Sequence, residues 1–298
     1  MDIRETLIAN LHGENKMLSA FFERRAAHIA DAVELLLPDE LPSSDERIGI
    51  LADVGHAFLA MAEESLVKEK DVLPLHKAEI DAACRSVIES DAVMLASRIS
   101  KRLVLHDSGL LPIGELPTAT LRVAYVRNRS SDEAFRSVLV SVPVMPVYVN
   151  SFREAAEAIE NGDAEACLLP CETGSGYRMQ AAFELADEFR LRILFSEDVP
   201  EGEGDARFLL LSQKPYRLSE EPRFMTVRFL PREGVTAGVL LRAAESYGLS
   251  LYRFYTDVVP AERPTYLFTA ALSQGGDAAA FLAYLYLFSA SFQLYGVY

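Results

Sequence analysis

Positive charge is scarce in this chain: 29 lysines and arginines stand against 44 aspartates and glutamates in 298 residues, a formal net charge of -15. Nucleic acid and anionic membranes both require a concentrated basic face, so neither is expected as a partner. Long apolar runs are also missing. None approaches the roughly 20 residues of a membrane span, and the opening Met1-Asp2-Ile3-Arg4-Glu5 does not read as a signal peptide. A cytoplasmic protein is expected. The 3 cysteines, Cys84, Cys167 and Cys171, suit that reducing compartment. Cys167 and Cys171 have no second Cys or His pair to complete a metal site, so both read as small buried hydrophobes. The histidines, His12, His28, His56, His76 and His106, form no pair at ligand spacing. No metal and no other cofactor is expected.

What is present is apolar pattern in three distinct regimes. From Glu5 to about Leu105 apolar residues recur at steps of three and four. A first helix carries Leu7, Leu11, Leu18, Phe21, Phe22, Ile29, Val33 and Leu36 until Pro38 and Pro42 stop it. Ser43-Ser44-Asp45-Glu46 caps a second through Ile50, Leu51, Phe58, Leu59 and Met61, and after Pro74 a third runs through Val87, Val93, Met94 and Ile99. These make an all-α three-helix module over 1–108. His106 to Pro117, with Gly109, Pro112, Gly114 and Pro117, reads as a linker.

Over 119–215 strands and helices alternate: strands Leu121 to Val126, Val144 to Val149, Ala164 to Leu169, Leu191 to Phe195 and Ala206 to Leu211, with helices between the first four. The strand Ala166-Cys167-Leu168-Leu169-Pro170 ends in the turn Cys171-Glu172-Thr173-Gly174-Ser175-Gly176, which opens a further helical pattern. Such a turn offers backbone N–H groups and short hydroxyls at a helix N-terminus, where carboxylates and phosphates bind. Arg207 is brought towards the same edge, and its planar fork suits a carboxylate. Arg127 and Arg129, after the first strand, read equally as charge for an acidic ligand or as solvated loop arginines. Asp205 reads as a solvated strand-entry residue. Over 222–298 the order is βαββαβ, the ferredoxin-like plan.

The turn and Asp205-Ala206-Arg207-Phe208 resemble the catalytic domain of the prephenate dehydratase family. Glu172, Arg207 and Phe208 match the family motifs, while Thr173, Gly174 and Ala206 stand where the family has Asn, Ser and its catalytic Thr. The resemblance implies an α/β domain of two lobes, like a periplasmic binding protein, with a cleft between them. It implies a lyase that decarboxylates and dehydrates prephenate to phenylpyruvate, with Arg207, Glu172, Thr173 and Ser175 as catalytic candidates and Arg127, Arg129 and Phe208 on the substrate. Thr173 or Ser175 would assist the leaving hydroxyl that Ala206 cannot.

The helical module is similar to the helical chorismate mutase often fused ahead of that family, on Glu14-Asn15-Lys16-Met17-Leu18, Phe21-Phe22-Glu23-Arg24-Arg25 and Val87-Ile88-Glu89-Ser90-Asp91. That implies Arg24 and Arg47 as carboxylate-binding residues for chorismate, whereas Leu7, Leu35 and Leu95 fall at polar or cationic family positions. The βαββαβ segment resembles an ACT domain, through Tyr247-Gly248-Leu249-Ser250-Leu251 and Leu294-Tyr295-Gly296-Val297-Tyr298, and implies phenylalanine as effector and a homodimer or tetramer. Three readings stand open: an enzyme of phenylalanine biosynthesis, a catalytically impaired homologue that senses an aromatic or acidic metabolite or serves as a regulatory subunit, or a scaffold whose helical part mediates assembly only.

Overall fold

The computed structural model describes residues 24, 27–32, 35–37, 44–70, 88–101, 114–218, 222–232, 236–257, 264–272 and 276–298. Two compact units form. One contains Met1–Leu110, Pro231–Tyr247 and Ala279–Ser291, the other Leu111–Leu230, Gly248–Ala278 and Phe292–Tyr298.

The first unit is helical. Helix α1 (Ser44–Lys70) buries Leu51, Val54, Phe58 and Ala62, the three-and-four spacing of one face. Residues 88–101 are helical and bury Leu95, Ala96 and Ile99. Within this unit Arg98 pairs with Asp31 at 2.6 Å. Leu35 and Leu36 do not continue the first helix into the core: residues 35–37 form a turn in which both are exposed and Leu37 is buried instead. Leu7 and the linker up to residue 113 lie outside the described residues. No helix among the described residues is long and apolar enough to cross a membrane.

The second unit is built on strands β1 (Leu121–Val126), β2 (Val144–Val149), β3 (Ala166–Glu172), β4 (Arg192–Glu201) and β5 (Gly204–Ser212). They form one sheet in the order β2-β1-β3-β5-β4. β1 is parallel to β2 and β3, while β5 runs antiparallel to both β3 and β4. Helix α2 (Arg129–Ser141) covers one face, packing Ala134, Phe135 and Val138 on Val123, Leu168, Phe208 and Leu210. Helices α3 (Phe152–Glu160) and α4 (Gln180–Glu188) cover the other, on Cys167, Leu169, Leu209 and Leu211. The strand alternation of β5 explains the split, since successive side chains point to opposite faces. The described residues thus hold one α/β sheet where the sequence reading expected a pair of lobes. β4 runs six residues past the expected end at Phe195, because Ser196-Glu197-Asp198 gives no apolar alternation and the extension is held by the β5 ladder, with Val199 alone of its side chains buried in the core.

A second sheet comprises β6 (Phe224–Pro231), β7 (Leu249–Asp257), β8 (Thr265–Leu272) and β9 (Ser289–Val297), in the order β7-β8-β6-β9. Helix α5 (Ala237–Ser246) follows β6 and helix α6 (Ala278–Phe288) follows β8, which completes the βαββαβ order. The segment is divided between the units: its strands fall almost wholly with the α/β sheet, its helices with the first unit. In the helical unit, α6 is apolar all round and buried along Phe281, Leu282, Ala283, Leu285 and Leu287. Tyr247, at the end of α5, donates to the Val93 carbonyl at 2.7 Å, and Arg242 pairs with Glu89 at 2.9 Å.

Candidate functional site

The carboxyl ends of β1 and β3 are where this sheet would bind a ligand. The chain leaves β1 towards β2 on one side and returns past it to β3 on the other, so a crevice opens between the loops after these two strands. The loop after β1 carries Arg127 and Asn128 and runs into the first turn of α2, which carries Ser130; the turn after β3 carries Thr173 to Gly176.

The turn is tightly organised. Gly176 N–H donates to the Thr173 carbonyl at 2.8 Å, Tyr177 N–H to Thr173 Oγ1 at 3.1 Å, and the Thr173 and Ser175 hydroxyls bond one another at 2.9 Å. Across the crevice, Asn128 caps α2 in a reciprocal box with Ser131. One carboxylate spans the two loops. Glu201, at the tip of the β4–β5 hairpin, accepts from the Gly174 N–H at 2.8 Å and from Ser130 Oγ at 3.3 Å.

Arg207 lies at the neighbouring strand end but is closed off. Its side chain is 6 % exposed; Nη1 reaches both Asp198 oxygens at 3.4 Å and Nη2 donates to Ser196 Oγ at 2.7 Å. The rings of Tyr252 and Phe224 lie 4.7 and 5.2 Å from its guanidinium carbon. Burial opposes its charge, but Tyr298, Asp198, Cys171 and Tyr252 outweigh that, and the guanidinium is held above its ordinary pKa. Burial also pushes the Cys171 thiol up to about 12.

Glu172 is equally engaged. A bulge at Cys171 sets it opposite Arg207 in the β3–β5 register. Its carboxylate accepts from Arg253 Nε at 3.2 Å and from the Tyr255 hydroxyl at 3.0 Å. Burial, then the bond to Glu172, pushes Tyr255 up to about 12. A second bulge, between Leu251 and Arg253, lets consecutive residues of β7 serve this cluster: Tyr252 donates to Asp198 Oδ2 at 2.9 Å while Arg253 holds Glu172. A further polar anchor joins the second sheet to α4, where Asp187 accepts from Arg228, from Gln293 at 2.9 Å and from Tyr295 at 2.7 Å.

Of the residues singled out by sequence, the structure sets Glu172 beside Arg207 and Thr173 beside Ser175. It separates the others. Strand alternation turns Phe208 to the α2 face, where it is buried in the core on the opposite side of the sheet from Arg207. Arg127 is exposed, pairs with Asp132 at 3.4 Å and stacks 5.1 Å from the Tyr148 ring. Arg129 is exposed and lines a surface depression along α2 with Asp132, Glu133 and Arg136. Arg24 is exposed in the helical unit, and the side chain of Arg47 lies outside the described residues. Asp205 is exposed at the entry to β5, as its position implies. Asp198, Glu201, Tyr252, Arg253 and Tyr255 were not singled out. The signal for the last three was Tyr252-Arg253-Phe254-Tyr255, an arginine inside an aromatic strand, a residue type that asks for a partner.

No family model matches the chain, and no curated protein matches it. Similar solved structures include GqqA, described as a novel type of quorum quenching acylase, at 19% identity over 59% of this chain and 93% of that one, TM-score 0.47. They also include the prephenate dehydratase from Streptococcus mutans at 14% identity, over 59% of this chain and 97% of that one, TM-score 0.45. The prephenate dehydratase of Arthrobacter aurescens in complex with L-Phe is similar at 14% identity, over 59% of this chain and 89% of that one, TM-score 0.43. These are likenesses of chain path, below the level at which a residue's role can be transferred.

Proposed function

We propose that this chain is a non-catalytic, prephenate dehydratase-like protein that binds a small carboxylate-bearing metabolite at the carboxyl ends of β1 and β3, as a sensor or regulatory subunit. The observation that carries this reading is the internal saturation of the two matched charged residues. Arg207 is held by Asp198 and Ser196 under two aromatic rings, and Glu172 by Arg253 and Tyr255.

Loss of carbon dioxide and hydroxide from prephenate needs a cation for the carboxylates and a hydrogen-bond donor at the departing hydroxyl. A guanidinium already neutralised and desolvated inside the fold is not available for that. Ala206, at the position of the family's threonine, has no hydroxyl and buries its methyl on the α2 face. The crevice is nonetheless suited to a carboxylate, since the Gly174 amide and the Ser130 hydroxyl both donate to one. Prephenate, chorismate, phenylpyruvate and phenylalanine are the acids to try first. The division into mutase-like (1–108), dehydratase-like (119–215) and ACT-like (222–298) segments, and assembly as a dimer or tetramer, belong to the same proposal.

The test is phenylpyruvate formation from prephenate by the purified protein, beside calorimetry with the four acids. No turnover above the uncatalysed rate, with saturable binding of at least one acid, is expected. Turnover that disappears in a folded Arg207→Ala variant would establish a dehydratase and reject the non-catalytic reading.

A further inference from the structure

The β4–β5 hairpin lies against the β3 turn more closely than any side chain would allow. A β-carbon on Gly174 would come within 2.0 Å of the Glu201 carbonyl oxygen, and one on Gly204 within 2.1 Å of the Gly174 carbonyl oxygen. Glycine at both positions is therefore a condition for the hairpin tip to seat on the turn. The tip itself turns through Gly202, whose φ of +68° is the left-handed region glycine adopts freely. Once the tip is seated, the Glu201 carboxylate reaches one donor from each wall of the crevice, Gly174 N–H from the β3 turn and Ser130 Oγ from the first turn of α2.

We infer that this hairpin is an autoinhibitory strap: Glu201 occupies the place of a ligand carboxylate, and an incoming acid binds by displacing it. The inference rests on the carboxylate-binding reading above. The strap is built to open. Pro200, Glu201, Gly202 and Glu203 are all exposed, so lifting the tip uncovers no apolar core, and segments with few buried contacts sit at the low end of local stability. The rest of the hairpin stays anchored, because β4 and β5 pair along their length and Phe208, Leu209, Leu210 and Leu211 are buried. The chain thus competes with its ligand intramolecularly. The apparent affinity is lowered by the fraction of molecules in which the strap is closed.

The experiment compares wild type with Glu201→Ala, which removes the competing carboxylate, and Gly204→Val, which keeps Glu201 but wedges the tip that carries it away from the turn. Dissociation constants for prephenate and phenylpyruvate are measured by calorimetry. Amide exchange at Gly174 is followed in parallel, and thermal unfolding confirms that each variant is folded. Both variants are expected to bind about three- to tenfold tighter than wild type, with the Gly174 amide protected in wild type and losing protection in both variants. If wild type binds and Glu201→Ala binds no more tightly, the strap is wrong and the binding site stands. If none of the three proteins binds either acid, the binding site and the strap fall together. An unprotected Gly174 amide in wild type also rejects the strap. Should Gly204→Val fail to fold, Glu201→Ala decides alone.

Discussion

Tyr252 holds Arg207 twice over: its ring lies 4.7 Å from the guanidinium carbon, and its hydroxyl donates at 2.9 Å to Asp198, the counterion of the same arginine. Cation, counterion and aromatic cover come from β5, β4 and β7, so the second sheet is fastened to the first through a buried charge. In this arrangement Arg207 acts as a structural cation.

Removing that cation strands its partners. Arg207→Ala takes the cation from Asp198 and the donor from Ser196, and is expected to cost about 2–4 kcal/mol, near the lower end for a broken buried pair because Asp198 keeps the Tyr252 hydroxyl and contact with water. Urea unfolding measures this. Adding Asp198→Ala should recover part of the loss, since the uncompensated charge goes with it. A cost below about 0.5 kcal/mol for the single variant would show that the arginine is free rather than structural.

Much of this fold is legible in the sequence because its signals are local. β1 and β2 have the bounds that apolar pattern assigns, Leu121–Val126 and Val144–Val149, and the βαββαβ order of the second sheet can be read element by element. Two features are not local. The antiparallel run of β5 beside β3 depends on β4 and β5 forming a hairpin, and β4 beyond Phe195 reads Ser196-Glu197-Asp198, with no apolar alternation to announce a strand. The partners of Arg207 and Glu172 depend on bulges at Cys171 and Tyr252, each of which shifts a strand by one residue and changes which side chain faces the cluster. The turn after β3 was found from its composition. What fills it, Glu201, lies nearly thirty residues along the chain and carries no mark of its own.

Alkaline pH should unfold this protein abruptly. Tyr125, Tyr284, Tyr295 and Tyr298 are all pushed above the ordinary tyrosine pKa, in each case first by burial, and Tyr255 is pushed up to about 12. An unfolded chain ionises these phenols near 10.0, before the folded one does. Their stabilisation is therefore complete below pH 10, and it is lost as pH rises through the folded values. A tyrosinate titration followed by absorbance should show part of the 12 tyrosines ionising together with loss of circular dichroism. Smooth ionisation of all of them near pH 10, with structure intact, would contradict the burial assigned here.

The cysteines of the α/β sheet should be inert. Cys167 and Cys171 are buried, and burial raises both thiols, Cys171 to about 12, so at neutral pH neither supplies thiolate. In a Cys84→Ser background, a thiol reagent such as dithionitrobenzoate is expected to label nothing in the native protein and two thiols after denaturation. Prompt native labelling would mean that the strand edges open.

Two glycines of α1 allow a test with opposite signs on one helix. Gly49 is exposed and a β-carbon there would meet nothing within 4 Å, so Gly49→Ala should stabilise by about 0.5–1 kcal/mol through helix propensity alone. At Gly55 the same β-carbon would lie 2.0 Å from the Leu287 carbonyl oxygen, backbone that cannot swing aside. Gly55→Ala must part α1 from α6, loosening the contact of Phe58 with Phe288 at 5.8 Å between ring centroids, and is expected to cost about 1–3 kcal/mol. Thermal melts of the two variants compare the same chemical change in the same helix, so propensity cancels and the difference reports the close approach. Equal shifts of the two melting temperatures would rule out the packing of α1 against α6 described here.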